Sequence, residues 1–544
     1  MQPGSDTPAM RQHGGTGMVV SVIVGVLTLA GLLAWLLLYK SDSPQRAPAE
    51  VVPADAGVVF TFYPGRLVNK AGLPDLIREN LDQLGGMALM VNPDQLGVLA
   101  DFTRLGIRND LPVHLFLQPG NNGPRAGLVF PLISREAFET GMRDNLPGDF
   151  GDDILKQMTE ERGLRGIFKS KLPFVFAYDH HTLVLLFEES GPDPEQSFTL
   201  GTMLHTLFDQ ENSLAAAEAS FAKYLEANHD LGYWVKLDAL PQLLDKSTRR
   251  DLEKLGTPLR GITTLGLRFE PGQATLDLTL TGPQELPLRP VDPKLLKAIP
   301  RDYVLTLASR LDLKAIGEQV TNALGENGGL IEQLGDEVPM DKLREIIQNL
   351  TRGEDINLDE QFTGDMAIAL TGFDMQKVPL LNVRLPKLRL VGSFKTKAKA
   401  DTGKLVEQFK LAEPLGLEAF AREDIIHLAS PDLRAPLEQN GTVPEPIAGP
   451  ARDQLANPSA AMILNFTQLT KVLEKFPSTH QAAAALAPLE TLDATLRTAA
   501  GTHRATLRIT LRNKKTNALS QLIKMSINPA QPNEEKPPPE KAKQ

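Results

Sequence analysis

The chain contains no cysteine. That excludes disulfides, thiolate nucleophiles, cysteine-ligated zinc and iron–sulfur sites, and an acylated cysteine anchor. Stability must come from packing. An unstapled protein of 544 residues working outside the cytoplasm fits a bacterial envelope better than a disulfide-rich ectodomain. Positive charge is in deficit, with 57 Lys and Arg against 67 Asp and Glu and a formal net charge of -10. Free nucleic acid is therefore not an expected partner, because nonspecific affinity for it comes mainly from Lys and Arg neutralising phosphates. Catalytic signatures are missing as well. There is no His-Glu-x-x-His, no Gly-x-Ser-x-Gly elbow, no Gly-x-x-x-x-Gly-Lys and no Gly-x-Gly-x-x-Gly after a strand. No metal, cofactor or catalytic residue is assigned, and the expectation is a non-enzyme. Because triads are assembled from distant residues, a hydrolase with its site between two halves stands as an alternative.

What is present starts with Met18 to Tyr39, 22 residues without a charged side chain. At about 1.5 Å per residue they make a helix of roughly 33 Å, enough to span a hydrocarbon core about 30 Å thick. Trp35 and Tyr39 stand where an aromatic belt would lie, and Lys40 follows as an interfacial stop. Ala47, Pro48 and Ala49 mimic a signal-peptidase site, but the apolar run is longer than a signal core and the site lies well beyond its end. A single-pass helix in the inner membrane is expected. Flanking charges do not orient it, since Arg11 and the amino terminus precede it while Lys40 and Arg46 follow. The short amino-terminal tail and the missing cysteines place the large carboxyl-terminal part outside the cytoplasm.

Composition divides the chain into a tail (1–17), the helix (18–39), a linker (40–51), a first domain (52–282), a proline-rich linker (283–298), a second domain (299–528) and a disordered tail (529–544). The two domains read as copies. Val113 to Gln118 and Gly127 to Ile133 form a hairpin whose counterpart is Asp365 to Leu370 with Leu388 to Phe394. Helices follow at Arg135 to Met142 and Lys404 to Leu411. Phe174 to Tyr178 and Thr182 to Phe187 match Glu418 to Arg422 and Ile425 to Ala429. The closing hairpins match best: Ala274-Thr275-Leu276-Asp277-Leu278-Thr279-Leu280 against Ala505-Thr506-Leu507-Arg508-Ile509-Thr510-Leu511. Apolar and polar residues alternate, as in an antiparallel sheet with one covered face. The expected fold class is α+β, two tandem homologous domains of antiparallel sheet covered by helices, preceded by a single transmembrane helix.

Each copy opens on a Val/Ile-Pro-x-Asp strand entry, Val52 to Asp55 and Ile299 to Asp302. With the order of elements, this layout resembles bacterial envelope proteins in which a membrane anchor precedes duplicated domains. The resemblance implies a membrane-tethered, non-enzymatic protein and supplies no catalytic residue.

Two clusters invite a functional reading. His180 and His181 beside Asp179 are the densest imidazole group, but neighbours on a tight turn point apart, so a hairpin turn is expected rather than a metal site. Arg384, Lys387, Arg389, Lys395, Lys397 and Lys399 crowd one region and Arg504, Arg508 and Arg512 another. If these lie side by side, they form a basic patch suited to anionic headgroups or an acidic protein. The functional expectation is an anchored binding or scaffolding protein with a protein or lipid partner. A carrier holding lipid or a lipoprotein segment in an apolar groove is the alternative.

Overall fold

The computed structural model describes residues 48–73, 75, 101–120, 124–145, 150–168, 174–188, 194–209, 213–244, 260–282, 289–310, 358–378, 383–410, 413, 416–476, 479–499 and 501–527. The expected membrane helix at 18–39, the segment before it and the tail at 529–544 lie outside these residues. Among the described residues no helix is long and apolar enough to cross a membrane. The fold is mixed helix and antiparallel sheet, in two compact units. Unit 1 ends at Pro271 and takes in residues 515–527, while unit 2 runs from Gly272 to Lys514.

Unit 1 contains β1 (Val58–Phe62), β2 (Val113–Pro119), β3 (Pro124–Pro131), β4 (Thr159–Glu161), β5 (Leu164–Ile167), β6 (Phe174–Tyr178), β7 (Thr182–Glu188), β8 (Leu231–Lys236) and β9 (Ile262–Glu270). All pair antiparallel in the order β9-β8-β1-β2-β3-β7-β6-β5-β4. Successive side chains point to opposite faces. Both faces of this sheet are filled. Phe60, Phe130, Phe176 and Leu185 pack with Phe102 and Leu105 of one short helix and with Phe138 and Met142 of helix Arg135–Asn145. On the other side Val59, Phe116, Val184 and Trp234 pack with Leu200 and Leu204 of helix Pro194–Asp209 and Phe221 of helix Ala219–Glu226. The core begins ahead of Val52: Pro48–Glu50 form a short 3-10 helix, and Val51 is fully buried.

Unit 2 contains β10 (Gln273–Thr281), β11 (Leu305–Arg310), β12 (Phe362–Val378), β13 (Val383–Thr396), β14 (Glu418–Arg422), β15 (Ile425–Ala429), β16 (Ala460–Asn465), β17 (Leu489–Ala499) and β18 (Thr502–Leu511). Their antiparallel order is β10-β18-β17-β16-β11-β12-β13-β15-β14. β10, expected to close the first domain, is paired along its whole length with β18 in unit 2. One face is covered by helices: Ala308, Ala369, Val391 and Ile463 pack against Leu295 and Leu296, Leu433 and Leu437 of helix Pro431–Asn440, and Leu455 of helix Gly449–Ala456. The opposite face carries a small cluster at one end, where Phe362 and Ile426, with Phe394, meet Leu405 and Phe409 of helix Thr402–Phe409.

Candidate functional site

The rest of that opposite face is the chemically distinctive surface of unit 2. Strand pairing brings Leu276, Leu507, Ala494, Met462, Leu307 and Ile368 into one row running from β10 to β12. A flanking row holds Leu278, Ala505, Leu496, Ala460, Ser309 and Met366, and another holds Ala274, Ile509, Leu492, Leu464, Leu305 and Leu370. Ser309 is the one polar member of the three rows. Every residue of the central row is partly exposed, and Leu278 is 37% exposed. Among the described residues no buried apolar cluster covers the middle of this face. Burying a leucine is worth about 1.5–3 kcal/mol, so such an array is costly to leave in water. Ala274 and Ser309 are buried and the rest are at least partly exposed, and contiguous apolar surface reaching solvent is a candidate interaction site.

Alternation along each strand forecasts these rows, because Leu276 and Leu278, Leu492 and Leu496, and Leu507 and Ile509 each share a parity. Sequence reasoning turned that parity toward the covering helices. In the structure the helices lie on the other parity, where small residues such as Ala308, Ala369 and Ala461 allow close packing and larger side chains would not.

The basic residues do not form one patch. β13 and β18 are separated in the sheet by β12, β11, β16 and β17, because β11 takes the centre and pairs with both β12 and β16. Several of these bases are also matched by acids. Arg389 Nη1 donates to Asp302 at 2.9 Å and its Nε to Asp432 at 2.7 Å. Lys395 pairs with Asp292 and lies 3.7 Å from Asp424. Arg508 stands opposite Asp493 on β17. Burial pushes the Asp493 carboxyl up, against the opposing pull of Arg508. Lys397, Lys399 and Arg504 are exposed, and Arg504 faces another cation, Arg497. Arg512 Nη2 reaches Thr467 Oγ1 at 3.5 Å. The side chains of Arg384 and Lys387 lie outside the described residues.

His180 and His181 occupy the turn between β6 and β7, with ring centroids 4.7 Å apart and planes nearly perpendicular. The backbone amides of His181 and Thr182 both donate to Asp179 Oδ1 at 2.7 Å, which closes the turn. Among the described residues no group of three or more His, Asp or Glu is placed to hold a metal ion. Paired acids are drawn apart by separate partners: Asp152 lies 3.5 Å from Arg143, Asp153 3.1 Å from Lys156, Glu160 3.5 Å from Arg135 and Glu161 3.3 Å from His205.

No family model matches the chain, and no curated protein matches it. Among solved structures it is similar to three crystal forms of TP0453. Form I has 13% identity and a TM-score of 0.23 over 45% of this chain and 82% of that one. Form IV has 14% identity and a TM-score of 0.24 over 44% and 81%. Form III has 15% identity and a TM-score of 0.24 over 45% and 83%.

Proposed function

We propose that the protein is a membrane-anchored, non-catalytic binding or scaffolding protein of the bacterial envelope, held by residues 18–39 with its body outside the cytoplasm, and that it binds through the apolar face of unit 2. The observation carrying this reading is the three-row array on β10, β18, β17, β16, β11 and β12, apolar but for Ser309 and partly exposed in its central row. Strand order supports a duplicated domain. Unit 1 contains β9-β8-β1-β2-β3-β7-β6 and unit 2 contains β17-β16-β11-β12-β13-β15-β14, the same connectivity position by position. In this reading the copies have diverged: the first fills both faces of its sheet, and the second keeps one for a partner. The array also favours the carrier reading, in which the partner is an apolar ligand.

A chain without cysteine allows a direct test. Ala494→Cys, in the middle of the central row, is expected to react with a water-soluble thiol reagent at least tenfold faster than Ala369→Cys, on the covered face. Equal slow rates would mean that the face is closed and would remove this reading. A reporter fused after Gln544 tests the orientation, and activity only of a cytoplasmic reporter would reverse it.

A further inference from the structure

We infer that helix Ala219–Glu226 of unit 1 is an acid-released lid, lifted when His114 beneath it takes up a proton. Strand register sets Gly232 of β8, Thr61 of β1, His114 of β2 and Val129 of β3 in one row across the sheet. Phe221 of the helix meets the His114 ring edge-on, with centroids 6.4 Å apart. Tyr224 stacks on Phe221 and reaches Gly232, where a Cβ would lie 2.9 Å from its hydroxyl. Under this cover His114 is fully buried. Its Nδ1 shares a 2.9 Å hydrogen bond with Thr61 Oγ1, and its Nε2 has no partner among the described residues.

No charge stands ready to meet an imidazolium there. The row offers glycine, threonine and valine, and the next side chains of β2 on this face are Phe116 and Gln118. From the helix come Phe221 and Tyr224, and burial pushes the Tyr224 hydroxyl up, as it does Tyr63 on β1, so neither is charged. Lys223 and Glu226 are exposed. Glu218 is bonded to Lys236 at 2.8 Å, and Asp230 to Lys70 at 2.7 Å. His229, just past the helix, lies 6.2 Å from Tyr224 and against Gly266 of β9. A proton on His114 is therefore uncompensated until water reaches the ring. The covering segment is built to move as one piece. Leu214 N donates to the Val52 carbonyl at 2.9 Å and Phe269 N to Asp230 Oδ2 at 2.7 Å, which pins the chain on either side. Between the pins the backbone leaves helical angles at Glu218 (φ -122) and at Asn228 (φ 54). Openings of such a short element cost less than unfolding the unit. With the helix lifted, Trp234 Nε1 loses its 3.2 Å bond to Ser220 Oγ, and Phe116 and Trp234 are bared, so proton uptake becomes exposed apolar surface.

A free imidazole takes its proton near 6.5. The lifted state does so and the closed state does not, so opening is unaffected at pH 8 and grows as pH falls below 6.5, by about 30-fold at pH 5. Hydrogen–deuterium exchange of the full chain, corrected for the intrinsic rate at each pH, tests this. Between pH 8 and pH 5 the protection of amides 221–227 is expected to fall about 30-fold, while amides 200–208 of helix Pro194–Asp209 keep theirs. His114→Gln should abolish the fall, and His229→Gln should leave it. If His114→Gln does not fold, the unaltered ring still decides: a fall confined to 221–227 that survives His229→Gln sustains the inference, and one that His229→Gln abolishes overturns it. Unchanged protection at pH 5, a fall shared equally by 200–208, or an undiminished fall in a folded His114→Gln also overturns it.

Discussion

Two histidines are held neutral inside the units. His114 on β2 is fully buried and shares a 2.9 Å hydrogen bond between its Nδ1 and Thr61 Oγ1; burial lowers its pKa to about 3. His427 on β15 shares a 2.8 Å bond with Ser393 Oγ, and burial, with a smaller contribution from Arg422, lowers its pKa to about 4. An unfolded histidine takes its proton near 6.5. Above that pH both states are neutral, and the full stability of the fold is present. As pH falls from 6.5 toward 4, the unfolded chain binds the proton and folded His427 does not, so stability drops with falling pH. The loss at His427 is about 3 kcal/mol. Urea denaturation followed at pH 7, 5.5 and 4.5 should show this decline, and His427→Gln should flatten its contribution over that window. An unchanged pH slope in His427→Gln would mean that the ring is protonated in the fold.

At the scale of elements, one of the closest cross-strand fits among the described residues is between β2 and β3. Phe116 stands opposite Gly127, and a Cβ on Gly127 would lie 2.1 Å from the Phe116 ring. The ring occupies the space a side chain would need. Gly127→Val is expected to destabilise unit 1 by about 3 kcal/mol through overpacking, read from Trp234, which is fully buried against Phe221. Much of the element list was legible beforehand, because turn chemistry is local: Glu418–Arg422 and Ile425–Ala429 stand in the structure with the bounds expected of them. Longer-range features were not legible. β13 starts at Val383, ahead of the expected Leu388, and runs through Pro386, because that end pairs with β12 alone and projects past β15 as a sheet-edge segment. The basic patch failed for a similar reason, since sheet neighbours are set by the central strand β11 and not by charge. The apolar face was visible as alternation but not as a surface that the described helices leave partly exposed. Which parity the helices cover depends on side-chain volume summed over strands far apart in sequence.

For the whole molecule, chain order and unit membership part company near the carboxyl terminus. Helix Ala518–Ile527 follows the last strand of unit 2 but packs in unit 1, against helix Pro64–Ala71 and β9, with Ala518 fully buried. Asn517 Nδ2 also donates to the carbonyl of Phe269 at 3.0 Å. Ending the chain after Lys514 should therefore weaken unit 1 by about 2–4 kcal/mol, from the lost burial alone. In a Trp35→Phe background, Trp234 would report this as a lower urea midpoint, and an unchanged midpoint would show that the helix adds nothing. The same crossing governs synthesis. β10 ends at Thr281 and its partner β18 begins at Thr502, 221 positions later. At about 5–20 residues per second, that strand leaves the ribosome roughly 10–45 s before its partner exists. The carbonyl of Phe269 waits similarly for Asn517. The growing chain thus carries an unfinished sheet margin at β10 while the next 221 positions are made, so the period of greatest exposure to wrong pairing comes before the protein is complete.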